Sequence, residues 1–194
     1  YTGTLDRFQR LDYLMQAMRR VVDAMPQARL LLAGGVTREE DLAACREMAE
    51  ELGLSKHVIL VSGSTFEEVP AFLAAAQVAV APRPACPGVP IKLLNYIGAA
   101  KPVVTFDGSA KGLVHMRTAW LAPDDDWRAL GDGILRLLQD EPLAQELGQA
   151  AHRWAQENLT WATHAERLET VFRNVLAQEP TVQHASAPVG EPQV

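Results

Sequence analysis

The sequence predicts an α/β fold built on a doubly wound parallel sheet, Rossmann-like in kind. Three observations carry that expectation. Short apolar runs at 29–33, 57–61, 78–81 and 102–106 each follow a stretch with helical spacing. Within them, 30–33, 58–61, 78–81 and 102–104 are continuously apolar, as strands buried on both faces are, rather than alternating as half-exposed strands do. Strand-then-helix alternation along the chain places helices on both faces of such a sheet.

The elements follow in order. Residues 1–5 read as a strand end and a glycine turn at Gly3. Leu11, Leu14, Met15, Met18, Val21, Val22 and Met25 recur at helical spacing, and Pro26 ends that helix. The strand at 29–33 closes on Gly34-Gly35. Thr37 and Glu40 are spaced as a capping box for a helix that Gly53 stops near Leu52. The strand at 57–61 leads to Ser62-Gly63-Ser64, then to a helix over 66–76 with Pro70 as an interruption. Residues 78–81 run into a proline- and glycine-dense loop, a helix over 91–99, and a strand over 102–106. Residues 120–122 form the last strand. Helices then follow with Leu130, Ile134, Leu137 and Leu138 on one side, from Pro142 to about Glu157, and over 160–178. We expect one domain over 1–178 and a disordered tail over 179–194, where proline and small polar residues lack periodicity.

Composition bounds the function. A chain of 194 residues suits one domain that buries roughly 70% of its unfolded surface. The net charge of −6 argues against nucleic acid as the main partner. Two cysteines, Cys45 and Cys86, form neither a CxxC pair nor a disulfide framework, which fits a reducing cytoplasm. No apolar run approaches the roughly 20 residues that span a bilayer. The histidines lack ligand spacing, and Asp124, Asp125 and Asp126 precede a helix as capping residues do, so no metal site is expected. The chain opens at Tyr1 without a methionine and inside an expected strand, which suggests an excised domain.

The loop between residues 81 and 91 attracts a ligand. Ligands dock where loops leave the carboxyl ends of parallel strands, and the free N–H groups at a helix start attract anions. Pro90 suits the first helical position, having no N–H to leave unpaired. Lys92 sits in the first turn, where the helix dipole repels a cation unless an anion accompanies it. Asn95, three residues on, shares its face, while Leu94 and Ile97 turn toward the core. A lysine and an amide at a helix mouth suit a phosphorylated ligand.

The ordered landmarks Tyr1-Thr2-Gly3, residues 31–34, 58–63 and 78–82, Lys101-Pro102-Val103-Val104 and Thr160-Trp161 resemble the donor-binding, C-terminal half of GT-B glycosyltransferases. The resemblance is closest to the retaining family 4, also called group 1, and covers residues 1–177. It implies one half of a two-domain GT-B architecture that binds a UDP- or GDP-sugar. It places Gly3 and Thr4 beside the diphosphate, Ser62 and Gly63 beside the base, and Gly34 in the donor site. The Gly88-Val89-Pro90 backbone would approach the phosphates and sugar. Two glutamates eight positions apart are usual in the family, and their places fall on Pro87 and Asn95. Pro87 offers no side-chain hydrogen bond, and Asn95 exchanges a charge-assisted bond for neutral ones about half as strong. The cations usual in the first loop are replaced by Thr4 and Gln9, with Arg7 and Arg10 beside them.

The resemblance therefore implies a glycosyltransferase domain in which Lys92 and Arg10 steady the leaving diphosphate without a metal. The acceptor, a sugar or a lipid-linked glycan, would be held by a separate N-terminal domain, and the isolated domain would be inactive. The location implied is the cytoplasm, with peripheral contact at the inner face of the membrane. The alternatives are a degenerate nucleotide-sugar-binding module with a structural or regulatory role, and a nucleotide-sugar epimerase of the same fold.

Overall fold

The computed structural model describes residues 1–177, so the tail expected over 179–194 lies outside the described residues. Seven helices and five strands are described: β1 (Leu30–Ala33), β2 (Val58–Val61), β3 (Ala79–Ala81), β4 (Val103–Phe106) and β5 (Trp120–Ala122), with α1 (Leu11–Ala24), α2 (Glu39–Glu51), α3 (Val69–Ala75), α4 (Ile91–Gly98), α5 (Trp127–Gln139), α6 (Glu141–Asn158) and α7 (Trp161–Ala177). Every ladder is parallel, so the α/β, Rossmann-like class holds. The strands make two ladders, β1 with β2 and β4 between β3 and β5. The N-terminal segment joins the first through a bridge from Thr2 to Ala33, with the Gly3 N–H donating to the Ala33 carbonyl at 3.0 Å.

Residues 1–158 make one compact unit, and α7 belongs to a second. In the first, α1 buries the stripe its sequence spacing predicts, from Leu11 to Val22. Each large aliphatic side chain removed from water there contributes about 1.5–3 kcal/mol. Helix α5 packs on α1 closely enough that a Cβ added at Gly131 would lie 3.1 Å from the Ala17 carbonyl oxygen. Strand β4 is buried along its whole length, as the central strand of a parallel ladder is. Helix α7 has no buried residue; Leu168, Val171, Phe172 and Val175 are exposed along one side of it. Among the described residues no helix is long and apolar enough to cross a membrane.

Four local expectations are corrected. The Thr37–Glu40 capping box does not form: α2 starts one residue later, at Glu39 after Arg38, and the Thr37 hydroxyl donates to the Gly35 carbonyl at 3.2 Å. The capping box lies instead at Thr65 and Glu68, opening a 3-10 turn over Phe66–Glu68. Pro70 sits in the first turn of α3, where its missing N–H costs nothing, so it starts that helix rather than interrupting one. Pro90 is the residue before α4, not its first member. In α4 the buried side chains are Leu93, Tyr96 and Ile97, while Leu94 is 37% exposed, because Leu93 and Ile97 share the stripe one turn apart.

Candidate functional site

The chain's candidate site is a cleft of about 530 Å³ lined by the carboxyl ends of β1 and β3, at Ala33 and Ala81, the first loop and the start of α4. A long-range contact fixes α4 in place. The Tyr96 ring is fully buried and its hydroxyl accepts the Thr2 N–H at 2.8 Å, tying α4 to the N-terminal segment. Burial pushes the Tyr96 phenol up to about 12, so it stays a neutral anchor at ordinary pH. With Leu93, Tyr96 and Ile97 facing inward, Lys92 and Asn95 are left on the edge that borders the cleft.

Lys92 is the most unusual group in it. Its Nζ donates to the Tyr1 hydroxyl at 2.8 Å and to Gln9 Oε1, and lies 4.4 Å from the Tyr1 ring centroid. The Tyr1 hydroxyl in turn donates a hydrogen bond to the Thr4 carbonyl at 2.5 Å. Both partners are neutral, and Lys92 forms no ion pair among the described residues. Burial, with Arg83 adding repulsion against the pull of Asp6 and Cys86, lowers its ammonium to about 8. Gly3 lets the side chain lie this close: its φ is +132°, and a Cβ there would sit 3.0 Å from Lys92 Cε. The N–H groups of Ile91 and Lys92, in the first turn of α4, have no acceptor among the described residues.

The other sequence-nominated residues divide. Gly3, Thr4, Pro90, Lys92 and Asn95 line the cleft. Pro87, Gly88 and Val89 are exposed on its lip between Cys86 and Pro90, which do line it. Gly88 has φ +76° and nothing within 4 Å of the position its Cβ would take, so its backbone is open to approach. Gly34 is buried behind the wall, with its carbonyl accepting Ser64 Oγ at 2.8 Å. Ser62 and Gly63 stand one step back from Ser64, which lines the cleft. Arg10 is outside the lining. Its guanidinium pairs with Asp12 at 2.9 Å and Asp125 at 3.6 Å and lies 3.5 Å from the Tyr13 ring centroid. Hydrogen bonding to Asp12 raises its already high pKa further.

Sequence reasoning missed several lining residues, among them Arg83, Phe66, Val69 and Ile91. Arg83 follows β3 by two residues, and that position after a strand's carboxyl end was the available signal. Phe66 and Ile91 are 70% and 72% exposed. Two large apolar side chains open to solvent inside a cleft form a shelf for the flat or apolar part of a ligand. Among the described residues no Asp or Glu lines the cleft, and the cations that do are Arg83 and Lys92. Among the described residues no group of three or more His, Cys, Asp or Glu could hold a metal ion. The three acidic residues at 124–126 serve structure: Asp126 caps α5 by accepting the Arg128 and Ala129 N–H groups, and Asp124 accepts that of Gly108 at 2.9 Å.

The fold is that of a Rossmann-like α/β domain of the GT-B type. The chain belongs to the group 1 glycosyl transferases, whose family model matches residues 1–140. A GDP-mannose-dependent alpha-(1-6)-phosphatidylinositol monomannoside mannosyltransferase of Mycolicibacterium smegmatis is 30% identical over 165 residues, covering 81% of this chain and 42% of that enzyme. The chain thus spans less than half the length of this relative. Among solved structures, sucrose-phosphate synthase of Thermosynechococcus elongatus superposes with a TM-score of 0.76 at 23% identity, over 91% of this chain and 45% of that one. HepE of Anabaena, in complex with UDP and glucose, gives a TM-score of 0.76 at 16% identity over 89% of this chain and 48% of that one.

Proposed function

We propose that the cleft binds a nucleoside-diphosphate sugar, UDP- or GDP-linked, and that the domain serves transfer of that sugar to an acceptor. One observation carries the reading. A lysine ammonium is sunk into the cleft at a helix N-terminus with only neutral partners, and a partly buried cation without a carboxylate is stabilised by an anionic ligand. The names of the mannosyltransferase relative and of the UDP-bound HepE structure support a nucleotide-sugar ligand.

The chemistry follows from charge development. When the sugar leaves, negative charge builds on the diphosphate. Lys92 and the free N–H groups of Ile91 and Lys92 meet it without reorganising. Asn95 offers one acceptor and one donor to hydroxyl groups of the ligand. Arg10 is committed to Asp12 and Asp125, so the phosphate role rests on Lys92. The acceptor, a sugar or lipid-linked glycan, would be met by a further domain of a longer protein. The work would take place in the cytoplasm or at the inner membrane face. Calorimetry with UDP, GDP and their sugars tests the reading; absence of binding by all of them at millimolar concentration contradicts it.

A second reading is favoured by Pro87, which presents no hydrogen-bonding side chain on the lip. The domain would then hold a nucleotide sugar for assembly or regulation without transferring it. Binding without transfer by the intact protein across a broad acceptor panel separates this from the first reading. An epimerase, the third alternative, would alter the sugar with no acceptor present, and a product assay reads that directly.

A further inference from the structure

We propose that the sugar of the donor carries a carboxylate, and that Arg83 selects it. This rests on the reading of the cleft as a nucleotide-sugar site and goes beyond it by naming the class of sugar.

Among the described residues the cleft lining holds two cations and no acid, in a chain whose net charge is −6. Lys92 and two free N–H groups stand at the α4 start, where a diphosphate would lie, and Arg83 stands at the other end of the loop. Arg83 forms no ion pair among the described residues. Its Nε donates to the Ala85 carbonyl at 2.9 Å, and its own carbonyl accepts Ser109 Oγ at 2.6 Å, so backbone and stem are held at both ends. The two terminal nitrogens have no hydrogen-bond partner among the described residues. What remains free is the terminal fork, and a planar pair of N–H donors matches the two oxygens of a carboxylate.

Placement agrees with this role. Arg83 leaves β3 and Lys92 opens α4, so the two cations stand at opposite ends of one loop, and Arg83 is near enough to depress the Lys92 ammonium. A ligand with anionic groups at both ends relieves that mutual repulsion. A ligand ending in a neutral sugar leaves Arg83 unpaired, and the uncharged lip residues Pro87, Gly88 and Val89 oppose no carboxylate there. Acidic sugars are therefore favoured twice, by the free fork and by the absence of any competing carboxylate in the lining.

Calorimetry with the purified protein tests this across two matched series: UDP, UDP-glucose and UDP-glucuronate, and GDP, GDP-mannose and GDP-mannuronate. The uronate of the base that binds is expected to bind about tenfold more tightly than its neutral counterpart, the effect of one charge-assisted pair. Arg83→Gln is expected to weaken the uronate about tenfold more than the nucleoside diphosphate. Arg83→Lys, which keeps the charge but loses the fork, should fall between. Equal affinity for uronate and neutral sugar overturns the proposal, as does an Arg83→Gln loss equal for both sugars. Failure of every nucleotide to bind would overturn the site reading as well, whereas diphosphate binding without uronate preference overturns this inference alone.

Discussion

Replacing Lys92 with methionine keeps the length and apolar body of the side chain and removes its charge. A charge-assisted bond to phosphate contributes about 1.5–3 kcal/mol, so UDP or GDP affinity should fall roughly 10- to 100-fold. Uridine or guanosine, lacking phosphate, should bind the variant as it binds the wild type. The pH dependence sharpens the test. The wild-type ammonium has a pKa of about 8 in the ligand-free cleft, and a bound diphosphate raises it. Affinity should thus hold below about pH 8 and weaken above it, and the methionine variant should show no such step. Stability moves the other way. Folding lowers this pKa from 10.5 to about 8, so between those values the unfolded chain binds the proton that the folded one releases. Stability attributed to Lys92 therefore rises with pH across that window, and the wild type should gain on Lys92→Met from pH 8 to pH 10. Calorimetry and urea melts at several pH values read both quantities. Equal losses for nucleoside and nucleoside diphosphate, or a variant affinity within about twofold of wild type, would refute a phosphate role for Lys92.

Three further outcomes follow from the packing. Arg10→Gln should cost about 1 kcal/mol by loosening the Asp12 and Asp125 pairs, both partly exposed, and leave diphosphate affinity unchanged; a tenfold loss in calorimetry would put Arg10 back at the ligand. Gly148→Ala drives a Cβ into the Ala100 carbonyl between α6 and the end of α4, and should destabilise by about 1–3 kcal/mol in a denaturant melt. Asp126→Ala removes the acceptor for two N–H groups at the start of α5 and should cost about 1 kcal/mol, read the same way.

The fold was legible because its signals are long and repeated. The apolar runs that became β1, β3 and β4, and the stripe from Leu11 to Val22, bury most of their length, whereas β2, expected to be buried on both faces, has no fully buried residue and leaves Ile59 half exposed. The capping residues were not, because Thr37 and Thr65 are both followed three residues later by glutamate, and tertiary packing decides which pair closes. The lining of the cleft was half legible. Lys92 and Asn95 follow from their place on α4, whose inward face is set by Leu93, Tyr96 and Ile97. For Arg10, sequence shows that a cation stands in the first loop but not that Asp125, 115 residues on, folds back to pair with it outside the cleft lining. Arg83 was missed because nothing in its neighbours shows that its fork is left free; that is a property of the assembled loop.

The central claim is that the turn entering α4 grips a diphosphate with Lys92 and backbone N–H groups opposite Gly3. Titrating UDP and GDP into nitrogen-15-labelled protein and following the backbone amide resonances tests it most directly. The account predicts saturable shifts concentrated at Gly3, Gly88, Ile91 and Lys92. Shifts that leave those four amides unmoved, or that gather around Arg10 on α1, would contradict it.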